Sequence, residues 1–203
     1  MQGMPTPSHR TQLSAPGYPS SYESVVGLAD GRRVEIRPIL PSDTPKLVEA
    51  IRTADAQTLH SRFLGGPPRL TDTVLDGLTQ VDYLSRFALV ARSRGRGVAV
   101  ARYALQPSPG VPAVAEVAVA VAPQWRRVGL GSALVQLLAH RAQECGITDF
   151  TAMFLAENRP VTELAHDGHA RVVIAQGVAQ LYATLRTPHQ DRPSHDRSEE
   201  PRQ

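Results

Sequence analysis

The sequence predicts a mixed α/β domain of the α+β type, and three observations carry that expectation. Segments with strand period alternate along the chain with segments of helical period. Three strand-like runs follow one another across short turns, which points to antiparallel hairpins. A further strand then stops at Pro123 and feeds, through a glycine-rich turn, into an amphipathic helix.

The elements follow in order. RRVEIRPIL (32–40) alternates apolar and polar residues as a half-buried strand does. PSDTPKLVEAIRTA (41–54) reads as a helix, with Ser42 or Asp43 as N-cap and Leu47, Val48 and Ile51 on one face. A short second helix is expected over 55–63, and GGPP (65–68) breaks the chain. Thr71 or Asp72 caps a third helix with the stripe Val74, Leu75, Leu78 and Val81. Strands are expected over 86–92, 98–105 and 113–121, joined by SRGRG and QPSPGVP. From Val128 the period becomes helical: Leu130, Leu134, Leu137, Leu138 and Cys145 share a face, and Gly146 is a natural stop. A strand over 148–155, a short helix over 160–167 and a hairpin of 170–175 with 178–185 close the domain.

Composition bounds the organisation. The 203 residues suit one core, with residues 29–186 as the folded unit. Residues 1–28 are rich in Pro, Ser, Gly and Thr, and 187–203 contain no aliphatic residue, so both are expected to be disordered tails. One cysteine excludes a disulfide framework and a Cys-based zinc site. His166 and His169 have the spacing of a metal pair but no third ligand near them in sequence, so no metal is expected. No run approaches the roughly 20 apolar residues of a membrane helix, and the N-terminus lacks a secretory pattern. The expectation is a cytoplasmic protein with no membrane partner. Net charge is +3 and Lys46 is the sole lysine, yet the arginines are scattered among acids, so no nucleic-acid partner is expected.

The chemistry is written in AEVAVAVAPQWRRVGLGSALVQLLAHRA (115–142). A turn that delivers the chain into a helix presents unpaired N–H groups together with the positive end of the helix dipole, a receptor for phosphate oxygens. Gly129 and Gly131 keep the backbone approachable, Arg126 and Arg127 add charge, and Ser132 adds a hydroxyl. A P-loop would need a lysine after its last glycine, and the only lysine is Lys46. A dinucleotide fingerprint fits poorly: the third glycine position holds Leu134, and neither Asp149 nor Glu157 has both the spacing and the place of a ribose-binding acid.

VAVAPQWRRVGLGSAL (119–134) resembles the acyl-CoA motif of the GNAT superfamily of N-acetyltransferases, with Arg126, Gly129 and Gly131 at its three defining positions. RPILPSD (37–43) is similar to the family's first strand and helix cap, and AENRPVTEL (156–164) to its later strand–loop–helix with the usual Asn158. Residues 62–91 resemble the same region of bacterial domains that acetylate protein lysines. The resemblance implies a mixed, mostly antiparallel sheet flanked by helices, whose fourth and fifth family strands splay apart. It implies acetyl-CoA as acyl donor, its pyrophosphate on Arg126, Arg127, Val128, Gly129, Leu130, Gly131 and Ser132. The pantetheine arm would lie along Val119, Ala120 and Val121, strand groups that a bulge could free, with Asn158 contributing from the later loop. The implied acceptor is a protein lysine or a small amine, and self-association into a homodimer stays open.

Glu116 is a lone acid in an otherwise apolar strand. An outward-facing surface glutamate is one reading. The other is a general base, since a lysine at pH 7 must lose a proton before it can attack a thioester. The resemblance implies that role at this place, and partial burial beside the donor would strengthen the base. The usual tyrosine acid after Asn158 is missing; His166 is a substitute in sequence, and Gly168–His169 and Val128 also depart from the family pattern. Trp125 is read as an adenine contact or as packing, and Tyr83 and Arg86 as an acceptor wall. A non-catalytic acyl-CoA-binding module and a small-molecule amine N-acetyltransferase are the alternative functions.

Overall fold

A computed structural model describes residues 17–64, 69–107 and 113–185. The GGPP break, most of the QPSPGVP turn and the expected C-terminal tail lie outside the described residues. The element order is β1 (Ser24–Gly27), β2 (Arg33–Pro38), α1 (Thr44–Thr53), α2 (Ala56–Phe63), α3 (Asp72–Thr79), β3 (Arg86–Ser93), β4 (Arg96–Leu105), β5 (Val114–Val121), α4 (Leu130–Glu144), β6 (Asp149–Leu155), α5 (Arg159–Asp167), β7 (Arg171–Ala175) and β8 (Val178–Thr184). The strands form one sheet in the order β1-β2-β3-β4-β5-β6-β8-β7, antiparallel throughout except for the β5–β6 pair.

The α+β expectation holds, with one correction at the N-terminus. Residues 17–28, read from composition as part of a disordered tail, contain a 3₁₀ turn at Ser20–Tyr22 and the edge strand β1. Tyr22 explains the order: its ring packs edge-on to Phe87 at 5.3 Å, and its hydroxyl donates to Glu144 Oε2 at 2.9 Å. Two or three buried groups can hold a segment whose composition alone looks unstructured.

One face of the sheet builds the core. Phe87, Leu89, Ala101, Tyr103, Ala115 and Phe150 pack there against the α4 stripe Leu130, Leu134, Leu138 and Ala142. That stripe runs at steps of four residues, and Gly146 (φ 75°) ends the helix in the left-handed conformation. The opposite face carries Glu116. Helices α1 and α2 pack over part of it, and Arg102 Nη2 donates to Gly77 O of α3 at 2.8 Å. Asp43, expected as the N-cap of α1, spends its carboxylate elsewhere: it accepts from Arg37 at 2.6 and 2.7 Å and from Leu40 N at 2.9 Å.

Candidate active site

At the end of β5 the chain passes through a 3₁₀ turn, Pro123–Trp125, and reaches α4 through two left-handed residues, Arg127 (φ 59°) and Gly129 (φ 86°). The first α4 bond runs from Ala133 N to Gly129 O at 3.0 Å. The N–H groups of Gly129, Leu130, Gly131 and Ser132 therefore have no acceptor among the described residues, as the first turn of a helix requires. A Cβ built on Gly131 would meet nothing within 4 Å, so the space in front of these donors is open. Four converging N–H groups, a helix dipole and open space suit a pyrophosphate.

The side chains of the turn divide. Arg127 and Ser132 are exposed at the cradle, whereas Leu130 is buried in the core and Val128 packs against it, so these two offer backbone only. Arg126 does not stand as a free cation: its Nε donates to Val121 O at 3.0 Å and its Nη2 to Thr58 Oγ1 at 2.8 Å. Trp125 is buried, and Arg32 lies over its ring at 3.9 Å. This geometry supports the packing role for Trp125. Arg32 also donates to Gln124 O at 2.8 Å, and Ala29 N donates to Val128 O at 3.1 Å, so the β1–β2 turn braces the cradle from outside.

The strand pair next to the cradle opens. β5 and β6 are paired only at Val114↔Asp149, Ala115↔Phe150 and Glu116↔Thr151. Beyond that rung β5 keeps its partner β4 to Val121, and β6 keeps β8 to Leu155. The β4–β5 register is continuous, so the expected bulge is absent and divergence of the strands frees the polar groups instead. Val119, Ala120 and Val121 are half-buried along this open edge. Asn158 lies between β6 and α5, half-buried, and its carboxamide has no partner among the described residues.

Glu116 occupies the last rung before the strands part. It is exposed, so the partial burial expected for it is not found. It opens on a cleft of about 370 Å³ whose lining includes Gln106, Asp149, Met153, Gln180 and Tyr182. The registers of five strands align Arg86, Ala104, Glu116, Thr151 and Tyr182 in one row on one face. Arg86 thus shares the face of Glu116 as read from the sequence. Tyr83 does not: it is buried, and its hydroxyl donates to Ile39 O at 2.9 Å. His166 is exposed on α5 beside Asp167 and is not among the described residues that line the cleft. Sequence reasoning missed Met153, Gln180 and Tyr182, because only the β6–β8 register brings them beside β5.

The acetyltransferase (GNAT) family matches residues 56–167. An acetyltransferase of Pseudomonas aeruginosa is 31% identical over 144 residues, which cover 69% of this chain and 76% of that protein. Acetyltransferase Pat of Mycolicibacterium smegmatis is 27% identical over 139 residues, but they span only 41% of its length. Among solved structures, the GNAT domain of S. lividans PAT superposes with a TM-score of 0.75 at 30% identity, covering 83% of this chain and 99% of that one. The open strand pair, the braced helix start and these likenesses agree: the chain belongs to the GNAT family of acetyltransferases, and it is an acyl-transferring enzyme.

Proposed function

We propose that the enzyme takes acetyl-CoA as donor and transfers the acetyl group to a primary amine, a protein lysine in the first instance. The observation that carries this reading is the position of Glu116, on the last rung before β5 and β6 diverge and exposed to the cleft beside them. The cleft combines two carboxylates, Glu116 and Asp149, with the apolar surfaces of Met153 and Tyr182. That combination suits an ammonium group on an aliphatic stem. Met153 is 55% exposed, so the cleft is open enough for a side chain that belongs to a larger molecule. The likeness to the GNAT domain of S. lividans PAT supports the same fold and donor-side architecture. A single cysteine and no disulfide framework support a cytoplasmic setting.

The residues fit the donor. Gly129, Leu130, Gly131 and Ser132 would hold pyrophosphate oxygens through their N–H groups, with Arg127 adding charge. The free edge of β5 over 117–121 would bond the pantetheine amides as another strand would, and the carboxamide of Asn158 would add a contact. When bound, the donor supplies an activated acyl group. Glu116 removes the proton of the incoming ammonium, directly or through one water, and leaves a neutral amine. The amine nitrogen then forms the new bond to the acyl carbon as the carbon–sulfur bond breaks, and its second proton passes to water to leave the neutral amide. The thiolate sulfur takes a proton from solvent, and a backbone N–H of β5 stabilises charge on the acyl oxygen.

Purified protein, acetyl-CoA and a panel of lysine peptides and small amines, read by thiol release and intact mass, test the reading. A product heavier by one acetyl group on a lysine peptide is expected. Thiol release with none of the acceptors, despite CoA binding, would overturn it.

A further inference from the structure

The phosphate turn, the open edge of β5 and helix α2 meet at one guanidinium. Arg126 follows the 3₁₀ turn and precedes the cradle glycines. Its Nε is held by Val121 O, the last carbonyl of β5, and its Nη2 by Thr58 Oγ1 of α2. The Thr58 hydroxyl has one proton, and that proton goes to Asp55 Oδ2 at 2.5 Å. Thr58 therefore accepts from Arg126 and donates to Asp55, a cation–hydroxyl–carboxylate chain in which each bond polarises the next. Asp55 also accepts from Thr58 N at 2.8 Å as the N-cap of α2. These hydrogen bonds hold the Asp55 carboxyl below its ordinary range, and the charge of Arg126 adds to the effect. Helix α2 in turn packs on both β5 and β6, across the pair that diverges.

We infer that Arg126 is a positioning residue that acts through Thr58: it fixes α2 over the parting of β5 and β6 and so couples donor binding at the turn to the acceptor side of the sheet. The inference rests on the reading that the turn takes CoA. A cation placed only to attract phosphate would need no partner on α2. Here the Nε and Nη2 edges of the guanidinium go to protein acceptors on β5 and α2, and the partner on α2 is itself anchored to a charge. A phosphate bound at Gly129 and Gly131 would fix the turn, and a fixed Arg126 would hold α2.

Thr58→Val tests this, because valine keeps the branched shape and the Asp55 cap of Thr58 N but removes the hydroxyl. Thr58→Ser restores the hydroxyl and serves as the rescue. Hydrogen exchange of α2 amides is measured with and without CoA, together with CoA affinity by calorimetry and amine kinetics. In wild type and Thr58→Ser, CoA is expected to slow exchange in α2. In Thr58→Val that protection is lost and KM for the amine rises about five- to tenfold, with CoA affinity and kcat within about twofold. Equal α2 protection in Thr58→Val and wild type would overturn the inference, as would a loss of CoA affinity as large as the rise in amine KM. Wild-type protein that binds CoA without protecting α2 would overturn it while leaving the proposed function standing. Wild-type protein that binds no CoA would remove the proposed function itself and this inference with it.

Discussion

Glu116 and Thr151 face each other across the last paired rung of two parallel strands, and past that rung β5 and β6 have different partners. The general-base role proposed for Glu116 can be tested at that rung. Glu116→Gln keeps the shape and the rung but removes the proton acceptor. Turnover is expected to fall about 10²-fold or more with CoA affinity unchanged. Steady-state kinetics and calorimetry on the same preparation check both halves. A variant with wild-type turnover would take Glu116 out of the mechanism.

Gly131 separates binding from folding. Its added Cβ would meet no atom within 4 Å, and an acid in the first turn of a helix favours the dipole. Gly131→Asp is therefore expected to fold with an unchanged or slightly higher Tm, while CoA affinity drops at least about tenfold because the new charge occupies the anion space. Gly129→Ala should behave differently. Its φ of 86° puts a side chain in the left-handed region, at about 1–2 kcal/mol. Thermal melts with and without CoA distinguish the two outcomes.

Arg37 and Asp43 join the first core strand to the start of α1 through a two-pronged pair whose side chains are only 13% and 10% exposed. Burial pushes the Asp43 carboxyl up, but the Arg37 guanidinium and Leu40 N–H outweigh it and hold the group below its ordinary value of 3.8. A depressed carboxyl contributes stability that is fully present above the unfolded value and is lost as pH falls through the folded one. Urea midpoints should therefore hold steady from neutral pH down to about pH 5 and fall below about pH 4. Asp43→Asn leaves a buried guanidinium without its anion and is expected to lose about 2–3 kcal/mol at pH 7, with a flatter acid limb. A midpoint within experimental error of wild type would contradict the account.

Tyr182 stands two strands from Glu116 on the same row, with the Arg171 guanidinium 5.0 Å from its ring. Its replacement by serine removes the apolar wall of the cleft without touching the cradle. The amine KM is expected to rise about three- to tenfold, with CoA affinity unchanged. Equal effects on both substrates would place Tyr182 in general stability instead.

The sequence was most legible where local rules act alone. Thr71 caps α3 through Val74 N, the α4 stripe returns every four residues, and Gly129 takes the positive φ that a glycine in such a turn permits. It was least legible where contacts are long-range. Tyr22 reaches Glu144 across 122 positions, and nothing in the serine- and proline-rich composition around it signals that. Arg126 reads as a phosphate cation because its partner Thr58 lies 68 positions away. Tyr83 reads as part of an acceptor wall, yet its hydroxyl reaches back 44 positions into the core. Period and spacing report which face a residue shares, and register between distant strands decides what stands beside it.

The Arg32–Trp125 stack has a practical bearing on how this enzyme can be shortened. The family match begins at residue 56, whereas the clasp on the outside of the helix start comes from Ala29 and Arg32. A fragment trimmed to the matched region would retain every glycine of the motif and still lose the outer wall of its anion pocket. Grafting the motif onto another scaffold would meet the same difficulty, since the loop is shaped by a hairpin some ninety positions upstream.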